Sequence, residues 1–306
     1  MIKKVFIGAA FLLLSASITQ PVCAQSIIPQ PESITRQQGT FTLAKGLQGV
    51  TNLKGEDFKT LNQYTSDVMN IPFSSVKNPS ADAPLRLICT GTEQEAAMAA
   101  DSVSLQGYEL NVTPTAVTIQ ARTPMGLFYG LQTLRQLEKD RQIPCVKITD
   151  TPRFAYRGLM IDCSRHFWWK DEIKKQLDAM AYFKLDRFHW HLTDGGGWRM
   201  EVKQYPLLTE ETAHRTESDW TKWWNRKNRQ YSPSPRRLVC WKGMNIYGGY
   251  YTQDDIKEIV DYAAARHITI IPEIEMPGHS DEVVYAYPEL SCTGKPYTQS
   301  DLCVGK

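Results

Sequence analysis

No apolar run in this chain reaches the roughly 20 residues that a bilayer-spanning helix needs. No Cys-x-x-Cys pair occurs, and basic and acidic residues nearly cancel. The first absence bears on the start of the chain. Lys3 and Lys4 precede an apolar run from Val5 to about Ile18, too short to span, and Val22-Cys23-Ala24 follows as a small-residue cleavage pattern. Residues 1–24 therefore read as a signal peptide, and the protein as exported, periplasmic or extracellular, with no integral membrane segment after cleavage. Lipoprotein processing at Cys23 is the alternative, but Gln20-Pro21-Val22 lacks the small residue expected directly ahead of such a cysteine. Of 35 basic residues two lie in that leader, and the remaining 33 face 33 acidic ones. A chain without a net field does not gather polyanions, which argues against nucleic acid as a partner.

The missing Cys-x-x-Cys and Cys/His spacings argue against zinc, so neither a metal nor another cofactor is expected. Export permits disulfides. Cys292 and Cys303 flank a Thr-Gly-Lys-Pro segment, and a bridge closing so short a loop stabilises by about 3 kcal/mol in the chain-entropy model. Cys89, Cys145, Cys163 and Cys240 read as buried thiols.

What is there is enough for a core: 306 residues with 42% hydrophobic content allow one large domain or two ordinary ones. Leu85 to Thr90, Gly107 to Val112 and Ala116 to Ala121 read as strands. Met125 to Leu137 reads as a helix with Leu127, Leu131, Leu134 and Leu137 on one side. Residues 25–150 thus read as an α+β domain, with Pro144 and Thr149-Asp150-Thr151-Pro152 marking the boundary to a second domain, 151–306.

That second part alternates regularly: strand Gly158 to Cys163, helix Asp171 to Leu185, strand Arg187 to Leu192, a long insertion, a helix opened by Thr252 and Asp255, and strand Thr269 to Ile274. Near-continuous apolar strands alternating with helices mean parallel β structure, in a (β/α) barrel or a doubly wound sheet. Polar groups follow each strand: Ser164-Arg165-His166, then Asp194, then Glu273, Glu275 and His279. Three successive strands delivering chemistry to one end favour the barrel. The expected fold is α/β, an N-terminal α+β domain followed by an incomplete (β/α)8 TIM barrel with about three of its eight strands.

Three segments carry a resemblance: Arg157-Gly-Leu-Met-Ile-Asp-Cys-Ser-Arg-His166, Phe188-His-Trp-His-Leu-Thr-Asp194 and Pro272-Glu-Ile-Glu-Met-Pro-Gly-His279. Together the chain resembles the family 20 glycoside hydrolases, the β-N-acetylhexosaminidases, and residues 27–150 resemble the domain preceding their barrel. The resemblance implies removal of terminal GlcNAc or GalNAc from β-linked glycans by a substrate-assisted, retaining route, an exception to the two-carboxylate scheme. It further implies that Arg165 hydrogen-bonds sugar hydroxyls, and that Asp194 and His279 form the supporting network of the general acid. Trp198 and Glu275 join Arg165 as candidate substrate-binding residues, while Arg157 belongs at the far end of its strand. The family's general acid follows an aspartate in a His-x-Gly-Gly-Asp-Glu motif, which these 306 residues do not contain; Asp171-Glu172 and Asp281-Glu282 stand in other contexts. A polypeptide of these residues alone is therefore expected to be inactive, and its sheet to leave an open edge.

Other readings stand beside this one. Asp194 before Gly195-Gly196-Gly197 is a turn former as readily as a catalytic carboxylate. His189 and His191 point to one side of a strand and are either metal ligands of a barrel hydrolase or buried, hydrogen-bonded histidines. Trp220, Trp223, Trp224 and Trp241, in a basic insertion from Glu210 to Tyr250, form either a sugar platform or a packed surface element. With Arg165, such a platform would suit a non-catalytic carbohydrate-binding protein.

Overall fold

A computed structural model describes residues 27–225, 230–234, 246–295 and 300–305. The leader expected at 1–24, Cys240 and Trp241 lie outside these residues. Among the described residues no helix is long and apolar enough to cross a membrane.

The first part is a mixed seven-stranded sheet built from β1 (Ser33–Thr42), β2 (Gly49–Thr51), β3 (Phe73–Ser75), β4 (Leu85–Cys89), β5 (Tyr108–Val112), β6 (Val117–Ala121) and β7 (Gln142–Asp150), in the order β1-β7-β5-β6-β4-β2-β3. Its helices are α1 (Gly55–Met69), α2 (Glu93–Met98) and α3 (Pro124–Leu137). The alternating burial of β5 and β6 puts Leu110, Val112, Val117 and Ile119 in the core at 0% exposure. Thr123 caps α3 by accepting the Gly126 N–H at 3.2 Å, and Pro124 occupies the first turn, where its missing N–H costs nothing.

One expectation fails in this part. Pro144 was placed at a domain boundary, yet it lies inside β7, paired with Thr40 of β1. The β5 ladder on the other side of β7 begins only at Val146, so residue 144 has a single neighbouring strand, where a proline is tolerated.

The second part begins with β8 (Gly158–Asp162), α4 (Lys170–Tyr182) and β9 (Arg187–His191). The insertion follows, with α5 (Leu207–Glu210), β10 (His214–Arg215), α6 (Trp220–Trp224), β11 (Tyr231–Ser232) and β12 (Tyr247–Gly248), whose strands form a small sheet in the order β11-β10-β12. Then come α7 (Gln253–Ala264), β13 (Thr269–Glu273) and α8 (Asp281–Ala286). Thr252 and Asp255 make the expected capping box, each side chain accepting the other's backbone N–H, at 3.1 and 3.0 Å. Cys292 and Cys303 are bridged, with Cα atoms 4.9 Å apart, while Cys145 and Cys163 are buried free thiols and Cys89 a half-buried one.

β13, β9 and β8 pair in parallel in that order. Their register aligns Met160, His189 and Ile271 in one row and Asp162, His191 and Glu273 in the next, so these six side chains share a face. The opposite face carries Phe188 and Trp190 into one core with Ile173 and Leu177 of α4 and Ile259 of α7.

α3 explains how the two parts join. It is buried along almost its whole length, because one side lies on the sheet and the other meets α4. Buried polar pairs cross the same junction: Lys184 Nζ donates to Tyr108 Oη at 2.9 Å and to Asp150 Oδ2 at 3.2 Å. Arg157 pairs with Asp186 at 3.0 Å and donates to Tyr129 Oη at 2.8 Å, so it belongs to the junction, at the end of β8 away from Asp162.

Candidate active site

The C-terminal ends of β8, β9 and β13 converge on one carboxylate. Asp194 Oδ2 lies 2.6 Å from Arg165 Nη2, 3.0 Å from His279 Nδ1 and 3.2 Å from His191 Nε2. Its other oxygen accepts the Gly195 N–H at 2.7 Å. Arg165 is held from its own strand too: Asp162 accepts its backbone N–H at 2.9 Å and Nη1 at 2.8 Å. Ser164 links the first two loops by donating to the carbonyls of Asp194 and Gly197, at 2.8 and 3.0 Å. Thr193 Oγ1 accepts the Glu275 N–H at 2.9 Å and links the second loop to the third. His279 stands at the Pro277-Gly278 turn with φ 51°, a left-handed conformation costly for a side chain of this kind and found where surroundings over-determine it.

The charges are mutually set. Burial pushes the Asp194 carboxyl up, but His191, Arg165, the Gly195 N–H and His279 outweigh it and hold the group below the usual carboxylate value. For His191, burial favours the neutral ring, yet Asp194, Asp162 and Glu273 together raise it above the usual imidazole value. Glu273 and Glu275 split: burial raises both, but Glu275 together with His191 and His189 draws Glu273 down, while Glu273 adds to the rise of Glu275. Beneath this rim Glu282 is fully buried, neither oxygen has a hydrogen-bond partner among the described residues, and burial pushes its carboxyl well above the usual range.

His189 and His191 do share a face, as alternation requires. Glu273 Oε2 lies between them, 2.5 Å from His189 Nε2 and 2.9 Å from His191 Nδ1. Among the described residues two groups could bring three donor atoms to a metal within 4.8 Å, His191 with Glu273 and Glu275, and Asp194 with Glu275 and His279. His189 is in neither, so of the two readings of the histidine pair the geometry favours rings held by a carboxylate over a pair of metal ligands.

Trp198 corrects another expectation. It was placed in substrate binding, but it is 2% exposed, packs with Leu208, Val283 and Ala286, and donates its indole N–H to the Met200 carbonyl at 2.6 Å. An indole so enclosed has no open face for a sugar ring; it anchors the loop. Trp223 is likewise buried, at 1% exposure, whereas Trp220 and Trp224 stack with centroids 5.1 Å apart.

Arg199 is the residue the sequence reading missed. Its guanidinium is 0% exposed and donates to backbone carbonyls of Cys163 (3.0 Å), Ser164 (2.6 Å), Gly196 (3.1 Å), Gly249 (3.1 Å) and Ala213. It accounts for the glycines. A Cβ on Gly197, whose φ is +146°, would lie 2.7 Å from Arg199 Cζ, and one on Gly196 would lie 2.7 Å from the Ser164 oxygen. The triplet is thus a passage cleared for a buried cation and for the neighbouring loop. Its signal was present in the sequence: three residues without side chains mark a close approach, and the approaching group stands two positions on.

A parallel sheet backed by helices, with its polar groups gathered at the strand ends, defines an α/β protein with a TIM-barrel-like domain. Residues 154–306 match the model for the glycosyl hydrolase family 20 catalytic domain, and residues 24–151 match domain 2 of the same family. The chain belongs to glycosyl hydrolase family 20. Among curated relatives, a β-hexosaminidase of Porphyromonas gingivalis is 34% identical over 92% of this chain and 35% of its own length. One from Vibrio furnissii is 33% identical over 86% of this chain and 39% of its own. The chain thus spans well under half the length of these relatives. Among solved structures, β-N-acetylhexosaminidase from Bacteroides fragilis aligns with a TM-score of 0.70 at 29% identity, over 92% of this chain and 51% of that one. A mutant Streptomyces plicatus β-hexosaminidase in complex with its product GlcNAc gives 0.69 at 30% identity, over 92% of this chain and 54% of that one.

Proposed function

We propose that this protein acts as a β-N-acetylhexosaminidase, removing terminal GlcNAc or GalNAc from β-linked glycans with the sugar's own acetamido oxygen as the attacking group. The observation that carries the reading is the Asp194 carboxylate held by Arg165, His191 and His279 at the strand ends. In this scheme Arg165 donates to sugar hydroxyls, and Asp194 with His279 supports the general acid. Glu275 borders the sugar site, and residues 151–306 supply three strands of a (β/α)8 barrel behind an α+β domain at 25–150. No metal or other cofactor takes part, and nucleic acid is no partner. The leader-like residues 1–24 support export to the periplasm or beyond.

The test separates binding from turnover. A polypeptide of these 306 residues should bind N-acetylglucosamine weakly through Arg165, should lose that binding in Arg165→Ala, and should not hydrolyse a chromogenic N-acetylglucosaminide, because the Asp-Glu motif is not among them. Turnover equal to that of a full-length relative, or binding indifferent to Arg165, would refute these roles.

A further inference from the structure

The insertion between β9 and α7 brings an arginine and an indole against the site from the side. Arg215 is 1% exposed and spends its N–H groups on backbone oxygens. Nη2 donates to the carbonyls of Arg165 (2.8 Å) and Ser218 (2.9 Å), Nη1 to Gly196 (3.3 Å) and Nε to Glu217 (2.8 Å). Its guanidinium lies among rings, 4.7 Å from the centroid of Tyr247 and 5.5 Å from that of Trp220. Trp220 in turn lies 5.9 Å from the guanidinium carbon of Arg165. The indole is itself held firmly. It opens α6, whose N-cap Asp219 accepts the Lys222 N–H at 3.0 Å, and it is backed by the stacked Trp224. One ring is thus shared by the cation that grips the Arg165 main chain and by the Arg165 cation itself.

We infer that Trp220 and Arg215 are positioning residues for Arg165. Arg215 fixes its backbone through the carbonyl, and Trp220 sets the plane of its guanidinium. The inference rests on the reading of Arg165 as the group that meets the sugar. A neutral sugar offers no charge to steer it, so its hydroxyls are recognised by direction alone, and a guanidinium is useful only if its flat fork is already oriented. Asp162 and Asp194 neutralise that fork at 2.8 and 2.6 Å, and each Nη keeps a second hydrogen for a hydroxyl. The aromatic face limits the remaining rotation, because a planar cation prefers to lie over a ring. Trp220 therefore acts through an arginine instead of offering itself to the sugar as a platform.

The test is a ligand-observed NMR titration of the 306-residue chain with N-acetylglucosamine, paired with thermal unfolding. Trp220→Leu keeps apolar volume without a π-face and should weaken binding about tenfold, whereas Trp220→Phe restores the face and should stay within about twofold. A role in packing alone would make the two variants alike in affinity, and that result overturns the inference for Trp220. Arg215→Lys keeps the charge but loses the fork, and should weaken binding about threefold with a smaller effect on the melting midpoint than Arg215→Met. Unchanged affinity in Arg215→Lys overturns the other half, and this arm remains informative if Trp220→Leu does not fold. Arg165→Ala distinguishes the failures: if it binds like wild type, the reading of Arg165 falls and this inference with it. If it loses binding while the Trp220 and Arg215 variants do not, only the inference falls.

Discussion

A carboxylate oxygen facing three nitrogens within 3.2 Å releases its proton readily, and Asp194 is in that position. The linkage runs in opposite senses for the two ends of its contact with His191. Asp194 is depressed, so its contribution to stability is present above the unfolded carboxylate value of about 3.9 and is lost as pH falls through the folded value. His191 is raised, so its contribution is complete below the unfolded imidazole value of about 6.5 and is lost as pH rises through the folded value. Urea midpoints of wild type should therefore decline above that pH, and His191→Gln, which cannot titrate, should remove the decline. Parallel curves for the two proteins on the alkaline side would show that the imidazole contributes nothing. At this scale the sequence was readable where chemistry follows a strand: Arg165, Asp194, Glu275 and His279 come together as their positions suggested. It misled at Trp198, because a glycine-rich approach announces an exposed loop and an enclosed anchor in the same letters.

Elements show why. Strand and helix limits followed hydrophobic period closely, from Gly158–Asp162 to Thr269–Glu273, because each strand is apolar on its helix-facing side and each helix has one apolar stripe. The loops between them obey a different rule, set by a cation two residues after the glycines and by carbonyls up to 50 positions away in sequence, which no local window contains. Gly197 isolates this effect. Gly197→Ala places a Cβ against the Arg199 guanidinium at a φ of +146°, and should cost about 2 kcal/mol in urea unfolding and abolish sugar binding. A variant within experimental error of wild type in both would show that the loop yields and that Arg199 does not hold it. Pro144 teaches the complementary point: a proline reads as punctuation, yet one ladder that stops early makes room for it in a strand.

For the molecule as a whole, the parallel sheet has two unpaired edges among the described residues, at β8 and β13. Beside β13 runs a groove of about 590 Å³ lined by Trp190, Leu192, Ile256, Val260, Ile268 and Ile270. Unpaired backbone next to apolar side chains invites another chain. A polypeptide of these 306 residues should therefore self-associate, with an apparent mass in light scattering that rises with concentration; a strictly monomeric species with a sharp, cooperative melt would contradict this.

The helix Pro124–Leu137 has a consequence in time as well as in space. A chain emerges from the ribosome or from an export channel with its N-terminal end first, so the seven-stranded sheet and this helix come out ahead of Gly158, and the apolar side of the helix that later meets the second part is ready while that part is still emerging. The earlier-born half then serves the later one as a mould, and the first strand to emerge after it meets a finished surface instead of bare solvent.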